Sequence, residues 1–474
     1  MSRLAAVVGT DSEKVLEGML KKLEHRGFKH QLIYDNHKYR LGELNVTEDK
    51  EVQTGDPHYG VIYDGSPMYN GRETTRAEIL NLYKEQGPNF IENISGNFAM
   101  VISNGTEFFA ARDPYGIKPL YFSANSEHFL LASEIKSLNQ VTDDIEIFPP
   151  GHYCTGAKEL KRYTKISLPR AAEAYTLEEA AKALYELLIS AVNRVSGKKH
   201  LGSFLSGGLD SSVIAYAAIK TGPGNIPTMA VGLENSDDIL KARKVAKYLG
   251  TDHYEQVYTP EEMLDVLPQV IYNLESFDVE LVNSSIANYY AAKLARELGL
   301  KTVLSGEGAD ELFAGYHYLK EYETGYVLNE EMVELLRGMH NGGLQRVDRM
   351  TQAHSLECVM PFLDPRVVEF ALALPGSYKL SKSGVEKWVL RIAFESELPG
   401  DILWRTKAQF GIGTGNEEFI SNLIEKKVSR DEYARAKKTN NIEFKSKEEY
   451  YYYKIFKEFF PARSVEETVN RWLV

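Results

Sequence analysis

Short runs of apolar residues, alternating with polar ones and broken by Gly, Asn and Pro, fill the first third of the chain. His58–Gly65, Gly96–Ser103, Glu107–Gly116 and Lys118–Ala124 are four of them. Their period of two and their turn residues predict strands of stacked antiparallel sheets. Pro149–Tyr153 closes this part, and residues 158–175 have the polar, basic composition of a linker. The pattern then lengthens to a helical period. Residues 176–195 predict one long amphipathic helix, with Thr176 as cap and glutamates in the first turn. Beyond it strands alternate with helices: the strands are 200–206, 228–234 and 301–308. That alternation predicts a parallel, doubly wound sheet, whose ligands sit beyond the carboxyl ends of the strands. The last third reads as helical, and the aromatic residues of Glu448–Phe460 recur at core-packing spacing. No repeat or low-complexity tract interrupts the pattern.

At 474 residues the chain exceeds one ordinary core, so an α/β protein of two domains, 1–157 and 176–474, is expected. Composition adds four exclusions. Hydrophobic content of 43% and charged content of 26%, with no apolar stretch long enough to span a bilayer, describe a globular chain without a membrane partner. The run Met1–Val8 is too short for a signal peptide. The two cysteines, Cys154 and Cys358, lack metal-type spacing and point to a reducing cytoplasm. A net charge of −12 argues against nucleic acid as a partner.

Two stretches carry candidate chemistry. Phe204-Leu-Ser-Gly-Gly-Leu-Asp-Ser-Ser212 places a glycine turn between a strand and a helix, with Asp210 or Ser211 near the helix cap. Backbone amides and the positive helix end converge there, which makes an anion site. Serine and glycine suit any such turn, but Asp210 puts a carboxylate beside the cradle, where a bound cation would make it useful. The second stretch, Val303-Leu-Ser-Gly-Glu-Gly-Ala-Asp-Glu-Leu-Phe-Ala-Gly-Tyr316, ends another strand in Ser-Gly and crowds Glu307, Asp310 and Glu311 behind it. One loop that cradles anions, facing one that bears acids, suits a magnesium–nucleotide site with a general base.

These strings, followed by His354-Ser-Leu-Glu-Cys358, Pro361-Phe-Leu-Asp-Pro-Arg366 and Trp404-Arg-Thr-Lys-Ala-Gln-Phe410, resemble the synthetase half of the glutamine-dependent asparagine synthetases. Arg112–Phe122, Leu131–Leu138 and Pro149–Tyr153 resemble that family's N-terminal half, so the resemblance covers nearly the whole chain in order. It implies an αββα sandwich of the N-terminal-nucleophile (Ntn) hydrolase type, then a doubly wound ATP pyrophosphatase sheet with added helices. It further implies a ligase that adenylates a carboxylic acid with ATP and Mg²⁺, releases pyrophosphate, and lets ammonia or an amine displace AMP. By the match of motifs, Ser206, Gly207, Gly208, Asp210, Ser211 and Ser212 cradle pyrophosphate. Phe204 and Val231 hold the nucleotide, Val231 against the adenine, and Ser305 and Gly306 close over it. Asp210 and Asp310 arrange Mg²⁺, Glu307 is the base for the amine, and Lys407 neutralises the transferring phosphoryl group. A homodimer stays open.

The same resemblance exposes departures. Where glutaminase members begin Met-Cys-Gly, this chain has Met1-Ser2-Arg3. The family's Arg-Gly-Pro-Asp is Arg26-Gly27-Phe28-Lys29, and its Asn-Gly oxyanion pair is Asp64-Gly65. An aspartate there would repel an oxyanion. The Ser-Asp that grips the glutamine amine is Thr75-Arg76, a cation set against a cation. Loss of glutaminase activity is therefore expected, with the domain kept as a scaffold, as in the β-lactam synthetases. In the synthetase half, Asn283 and Val359 stand where the family has arginines. Two lost charge-assisted contacts would cost about 3–6 kcal/mol, or roughly a hundred- to ten-thousand-fold in affinity, unless Arg346, Arg349 or Lys387 compensates. An acid other than aspartate is thus expected. Aspartate with ammonia, intramolecular amide closure and a non-catalytic ATP-binding scaffold are the alternatives.

Overall fold

The computed structural model describes residues 2–9, 12–27, 29–36, 38–45, 55–125, 128–156, 159–169, 175–322, 325–405, 416–439 and 442–471. The short alternating runs form two antiparallel six-stranded sheets. The first has the order Glu146–Ile147, Tyr121–Ala124, His128–Ala132, Ser2–Gly9, Tyr39–Asn45, Lys29–Asn36. The second has the order Lys161–Arg162, His152–Cys154, Phe108–Arg112, Ser95–Ser103, Gly60–Tyr69, Arg72–Glu73. Alternation decides what each face meets. Leu4, Ala6 and Leu131 of the first sheet pack with Ile62, Ala99 and Val101 of the second in a shared core. Their neighbours Ala5, Val7 and Leu130 turn outward, onto the helix Ser12–Lys21. Val61, Met100 and Ile102 turn to the other side, under the helix Arg76–Gln86. The edge strand Lys161–Arg162 falls inside the stretch expected to be linker, where it pairs with His152 and Tyr153.

The helix expected from Thr176 runs over Leu177–Ser196. Its capping box is closed by Glu179 N donating to Thr176 Oγ1 at 3.2 Å and Thr176 N donating to Glu179 Oε2 at 2.8 Å. Such a cap is worth about 1 kcal/mol. Five parallel strands follow, in the order Asp252–Val257, Pro227–Gly232, Leu201–Phe204, Thr302–Leu304, Glu357–Val359. Helices cover both faces. Ala230 packs with the helix Asp237–Leu249, and its neighbour Val231 with the helices Pro260–Leu274 and Val279–Glu297. The chain starts this sheet at Leu201–Phe204, builds outward on one side, then crosses to Thr302–Leu304 and builds outward on the other. The crossover opens a crevice at the carboxyl ends of those two central strands, and both glycine loops begin there. The fifth strand, Glu357–Val359, was hidden in a third of the chain that reads as helical.

The aromatic run forms the helix Lys447–Phe459, which buries Tyr452 and Phe456. The core it joins also holds Met263, Ile271 and Ile286, and reaches Leu16, Met19 and Leu138 of the first third. Polar contacts continue the seam: Asn139 Nδ2 donates to Phe459 O at 3.3 Å, and Ser464 Oγ donates to Asp143 O. Cys154 and Cys358 are buried free thiols. No described helix is long and apolar enough to cross a membrane.

Candidate functional site

The first loop is folded by its own hydroxyls. Ser206 N donates to Ser211 Oγ at 3.2 Å, Ser212 Oγ donates to Gly208 O at 2.6 Å, and Ser211 Oγ to the same carbonyl at 3.2 Å. The helix begins at Leu209 with extended Gly208 as its cap (φ −75°, ψ 163°), so Asp210 and Ser211 lie in the first turn, near the cap as expected. Both serine side chains turn back to Gly208 O, while Asp210 reaches a cation. First-turn amides of a helix lack intrahelical acceptors, so the loop presents donors at the crevice. Arg405 braces it from behind, donating from Nη1 to Gly207 O at 2.9 Å and lying 3.3 Å from Asp237 and 3.6 Å from Asp238. Burial pushes the Asp238 carboxyl up to about 6 against the pull of Arg405.

Gly207 is the residue this loop cannot exchange. Its φ is +70°, and a Cβ there would fall 2.5 Å from the backbone N of Ala242. Gly207→Ala is expected to cost about 1–3 kcal/mol of stability and to open the loop. Urea unfolding and ATP-binding titration of the variant check this; unchanged midpoint and affinity would contradict it.

The second loop leaves the strand Thr302–Leu304 with Ser305 N donating to Val359 O at 3.0 Å. It touches the first. A Cβ on Gly306 would lie 2.9 Å from Asp210 Cβ and 3.0 Å from Ser211 N, so only glycine permits this approach. Glu307 points to Arg346, whose Nη2 donates to its two carboxylate oxygens at 2.9 and 3.0 Å. Gly343 leaves room for that carboxylate, since a Cβ there would meet Oε1 at 2.1 Å. Burial opposes the Arg346 charge, but Glu307 outweighs it and raises the guanidinium pKa. Glu311 is buried and accepts from Tyr316 Oη at 2.6 Å. Burial first, then Asp310 and Glu307, pushes its carboxyl up to about 7.

Between the loops stands Lys387. Its Nζ lies 2.5 Å from Asp210 Oδ2 and 2.6 Å from Asp310 Oδ1. The side chain is 3% exposed, and the backbone is left-handed at φ 56°. Burial works against the ammonium, but the two carboxylates outweigh it and raise its pKa. Among the described residues no group of three His, Cys, Asp or Glu side chains could hold a metal. Two carboxylates converging on one cation do fit Mg²⁺, which takes one or two carboxylates and fills its remaining positions with phosphate and water. Of the other candidates, Val231 is buried at its strand end, Phe204 is half-buried, and Lys407 lies outside the described residues. From sequence Lys387 entered only as a cation able to replace a missing arginine, and Arg405, Gly315 and Gly343 had no role of their own, although Gly315 and Arg405 lie within the quoted motifs. Gly315 leaves space for Asp310 and Lys387, which a Cβ would meet at 1.9 and 2.4 Å.

The positions where arginines were missing are filled. Asn283 is buried, donating Nδ2 to Glu448 Oε1 at 2.8 Å and accepting from Tyr452 Oη at 2.6 Å. Val359 packs half-buried against the core of the parallel sheet. Arg349 is held by Glu275 at 2.9 Å and donates to Ser133 O at 3.0 Å, so it belongs to the seam between the two halves.

That seam is ionic where the first sheet meets the helix Gly343–Gln352. Asp64, fully buried, faces Arg3 at 3.3 Å, Arg26 at 3.6 Å and Lys118 at 3.8 Å. Arg26 also binds Glu134 and Asp348, and Arg3 Nε donates to Gln352 Oε1 at 2.7 Å. Lys136 bridges Glu134 at 2.5 Å and Glu275 at 3.2 Å. Arg76, expected to set a cation against the glutamine amine, is neutralised by Glu43 at 2.6 and 2.7 Å.

A family model described as asparagine synthase matches residues 183–327 and 320–473, and one described as a glutamine amidotransferase domain matches 67–140. A probable glutamine-hydrolyzing asparagine synthetase of Schizosaccharomyces pombe is 36% identical, over 96% of this chain and 91% of its own. The glutamine-hydrolyzing asparagine synthetase of Triphysaria versicolor is 33% identical, over 99% and 88%. Among solved structures, an NMN synthetase from Francisella tularensis matches at 14% identity and a TM-score of 0.30, covering 64% of this chain and 99% of its own.

Proposed function

Because the chain belongs to the asparagine synthetase family of ATP-dependent C–N ligases, we propose that it condenses a small carboxylic acid with ammonia or an amine and hydrolyses no glutamine. The observation that carries the reading is the meeting of the two glycine loops at the switch point of the parallel sheet, with Asp210, Asp310 and Glu307 around the contact. On this reading residues 1–157 are an Ntn-hydrolase-like αββα domain and 176–474 an ATP pyrophosphatase domain.

The substrate carboxylate attacks the α-phosphorus of ATP, the bond to the bridging oxygen breaks, and pyrophosphate leaves. Ser206, Gly207, Gly208, Ser211 and Ser212 supply donors to the departing pyrophosphate, where fixed dipoles need no reorganisation. Val231 and Phe204 line the adenine side, and Ser305 and Gly306 cover the nucleotide. Asp210 and Asp310 would hold Mg²⁺, which when bound supplies countercharge to the phosphates. Lys407 neutralises the transferring phosphoryl group. The amine nitrogen then attacks the acyl carbon, its proton passes to Glu307, and AMP leaves with the electron pair of the broken C–O bond.

Absence of glutaminase is supported by occupancy more than by charge. Asp64 stands where an oxyanion would need donors, and the side chains of Arg3 and Arg26 fill the space around it. The acid is one with less negative charge than aspartate, because the arginine positions hold Asn283, sealed behind Glu448 and Tyr452, and an apolar Val359. A second carboxylate there would be desolvated without a partner.

ATP–pyrophosphate exchange across a panel of acids, followed by amide formation with ammonia or with glutamine, tests the reading. Exchange should be fastest with an uncharged-tail acid, and only ammonia or an amine should yield product. Highest turnover with aspartate would make this an ammonia-dependent asparagine synthetase. Product from glutamine alone would restore the glutaminase.

A further inference from the structure

We infer that Lys387 is an internal counter-cation that keeps the metal position closed until a nucleotide arrives, so that metal and ATP enter together. The inference rests on the reading above that Asp210 and Asp310 are the metal carboxylates.

Three observations carry it. First, one ammonium contacts both carboxylates, at 2.5 and 2.6 Å. A divalent ion on the same two oxygens would press against that nitrogen, and two cations at such range in a half-buried site repel strongly. Lysine and metal therefore exclude one another.

Second, Lys387 has nowhere to withdraw to by itself. It is 3% exposed, and its charge off the carboxylates would be buried without a partner, which is costly. Phosphate oxygens lying over the first loop would provide that partner. The nucleotide thus supplies the anion that Lys387 moves to, and its departure frees the carboxylates for the metal. Each buried charge keeps an opposite charge beside it at both stages: lysine on two aspartates before binding, lysine on phosphate and metal on the aspartates after it.

Third, the backbone is built to hold the lysine in place. Lys387 has φ 56° and ψ 34°, a left-handed conformation that bulky residues avoid. Its N–H donates to Phe313 O at 3.0 Å, and its own carbonyl accepts from Arg391 N at 3.0 Å. Gly315 vacates the space its side chain crosses, since a Cβ there would lie 2.4 Å from Lys387 Cε. A non-glycine residue kept in such a conformation marks a position that the surroundings over-determine.

The experiment uses Mn²⁺, read by electron paramagnetic resonance, on the full chain. Mn²⁺ is added alone and then with α,β-methylene ATP, which cannot be cleaved at the α-phosphorus. Wild type should bind Mn²⁺ alone poorly and at least about tenfold tighter with the nucleotide. Lys387→Gln should bind Mn²⁺ alone at least about tenfold tighter than wild type, with most of the nucleotide's enhancement gone. Lys387→Arg should behave like wild type. If the glutamine variant does not fold, Lys387→Asn replaces it, as asparagine tolerates the left-handed backbone. Equal affinity of wild type and the amide variant for Mn²⁺ alone overturns the inference. Asp210→Asn separates the two levels. If it removes nucleotide-dependent Mn²⁺ binding while the amide variant shows no gain, the metal assignment stands and the lysine's role falls. If it leaves that binding intact, the assignment of the carboxylates falls and takes the inference with it.

Discussion

Glu307→Gln should leave ATP–pyrophosphate exchange largely in place and lower amide formation by about a hundred- to ten-thousand-fold, the usual weight of a general base. The fold should survive, because a glutamine Oε1 still accepts from Arg346, whose Nη2 now bonds both carboxylate oxygens. Asp210→Asn should behave differently. Its carboxylate sits beside the loop that meets pyrophosphate, so exchange and amide formation should fall together, by about a hundred- to a thousand-fold. Exchange is read with labelled pyrophosphate, and amide formation by product against time at saturating ATP, acid and ammonia. Matching profiles for the two variants would erase the separation between an adenylating carboxylate and an amine-directed one.

Arg26→Met should be the most damaging single change to stability. Arg26 is fully buried and is bound to Glu134 and Asp348, with Asp64 at 3.6 Å. Removing it takes one cation from each of three buried carboxylates, and breaking a buried pair costs about 3–5 kcal/mol. The acid dependence should change as well. Burial raises the Glu134 pKa, but Arg26, His25, Lys136 and Arg349 outweigh it and hold the carboxyl well below its usual range. Asp348 is lowered likewise, burial being overcome by Arg26, Lys118, Arg349 and Arg3. A depressed carboxylate contributes stability above its unfolded pKa, about 4, and loses it as pH falls through the folded value. The wild-type urea midpoint should therefore be insensitive to these groups between pH 7 and 5. In the variant Glu134 and Asp348 lose their main cation, their pKa values rise, and the acid transition moves to higher pH. A midpoint that drops by less than the equivalent of about 1 kcal/mol would show the cluster to be energetically idle.

The antiparallel sheets were legible because one residue in two is apolar, and the long helix because Thr176 and Glu179 announce its start. The two glycine loops were legible because a strand end, a glycine turn and an acid occur within a few residues of one another. The strand Glu357–Val359 was not, since three residues give no measurable period. Lys387 could be named as a nearby cation but not placed between Asp210 and Asp310, because its position depends on Phe313 and Gly315, more than seventy residues earlier. Arg76 misled in a different way. A like-charge clash could be read from local strings, but its neutralisation by Glu43 comes from the pairing of sheets.

The seam between Asn139 and Phe459 joins residues 320 apart in sequence, and that between Asp143 and Ser464 residues 321 apart. During synthesis the first two sheets and the helix Ser12–Lys21 leave the ribosome long before the C-terminal helix that joins their core. At about 5–20 residues per second the delay is tens of seconds. Through that interval Leu16, Met19 and Leu138 are without their distant partners, a surface suited to chaperone capture. The slowest event in maturation is then expected to be the docking of the C-terminal helix, a closure set by chain length.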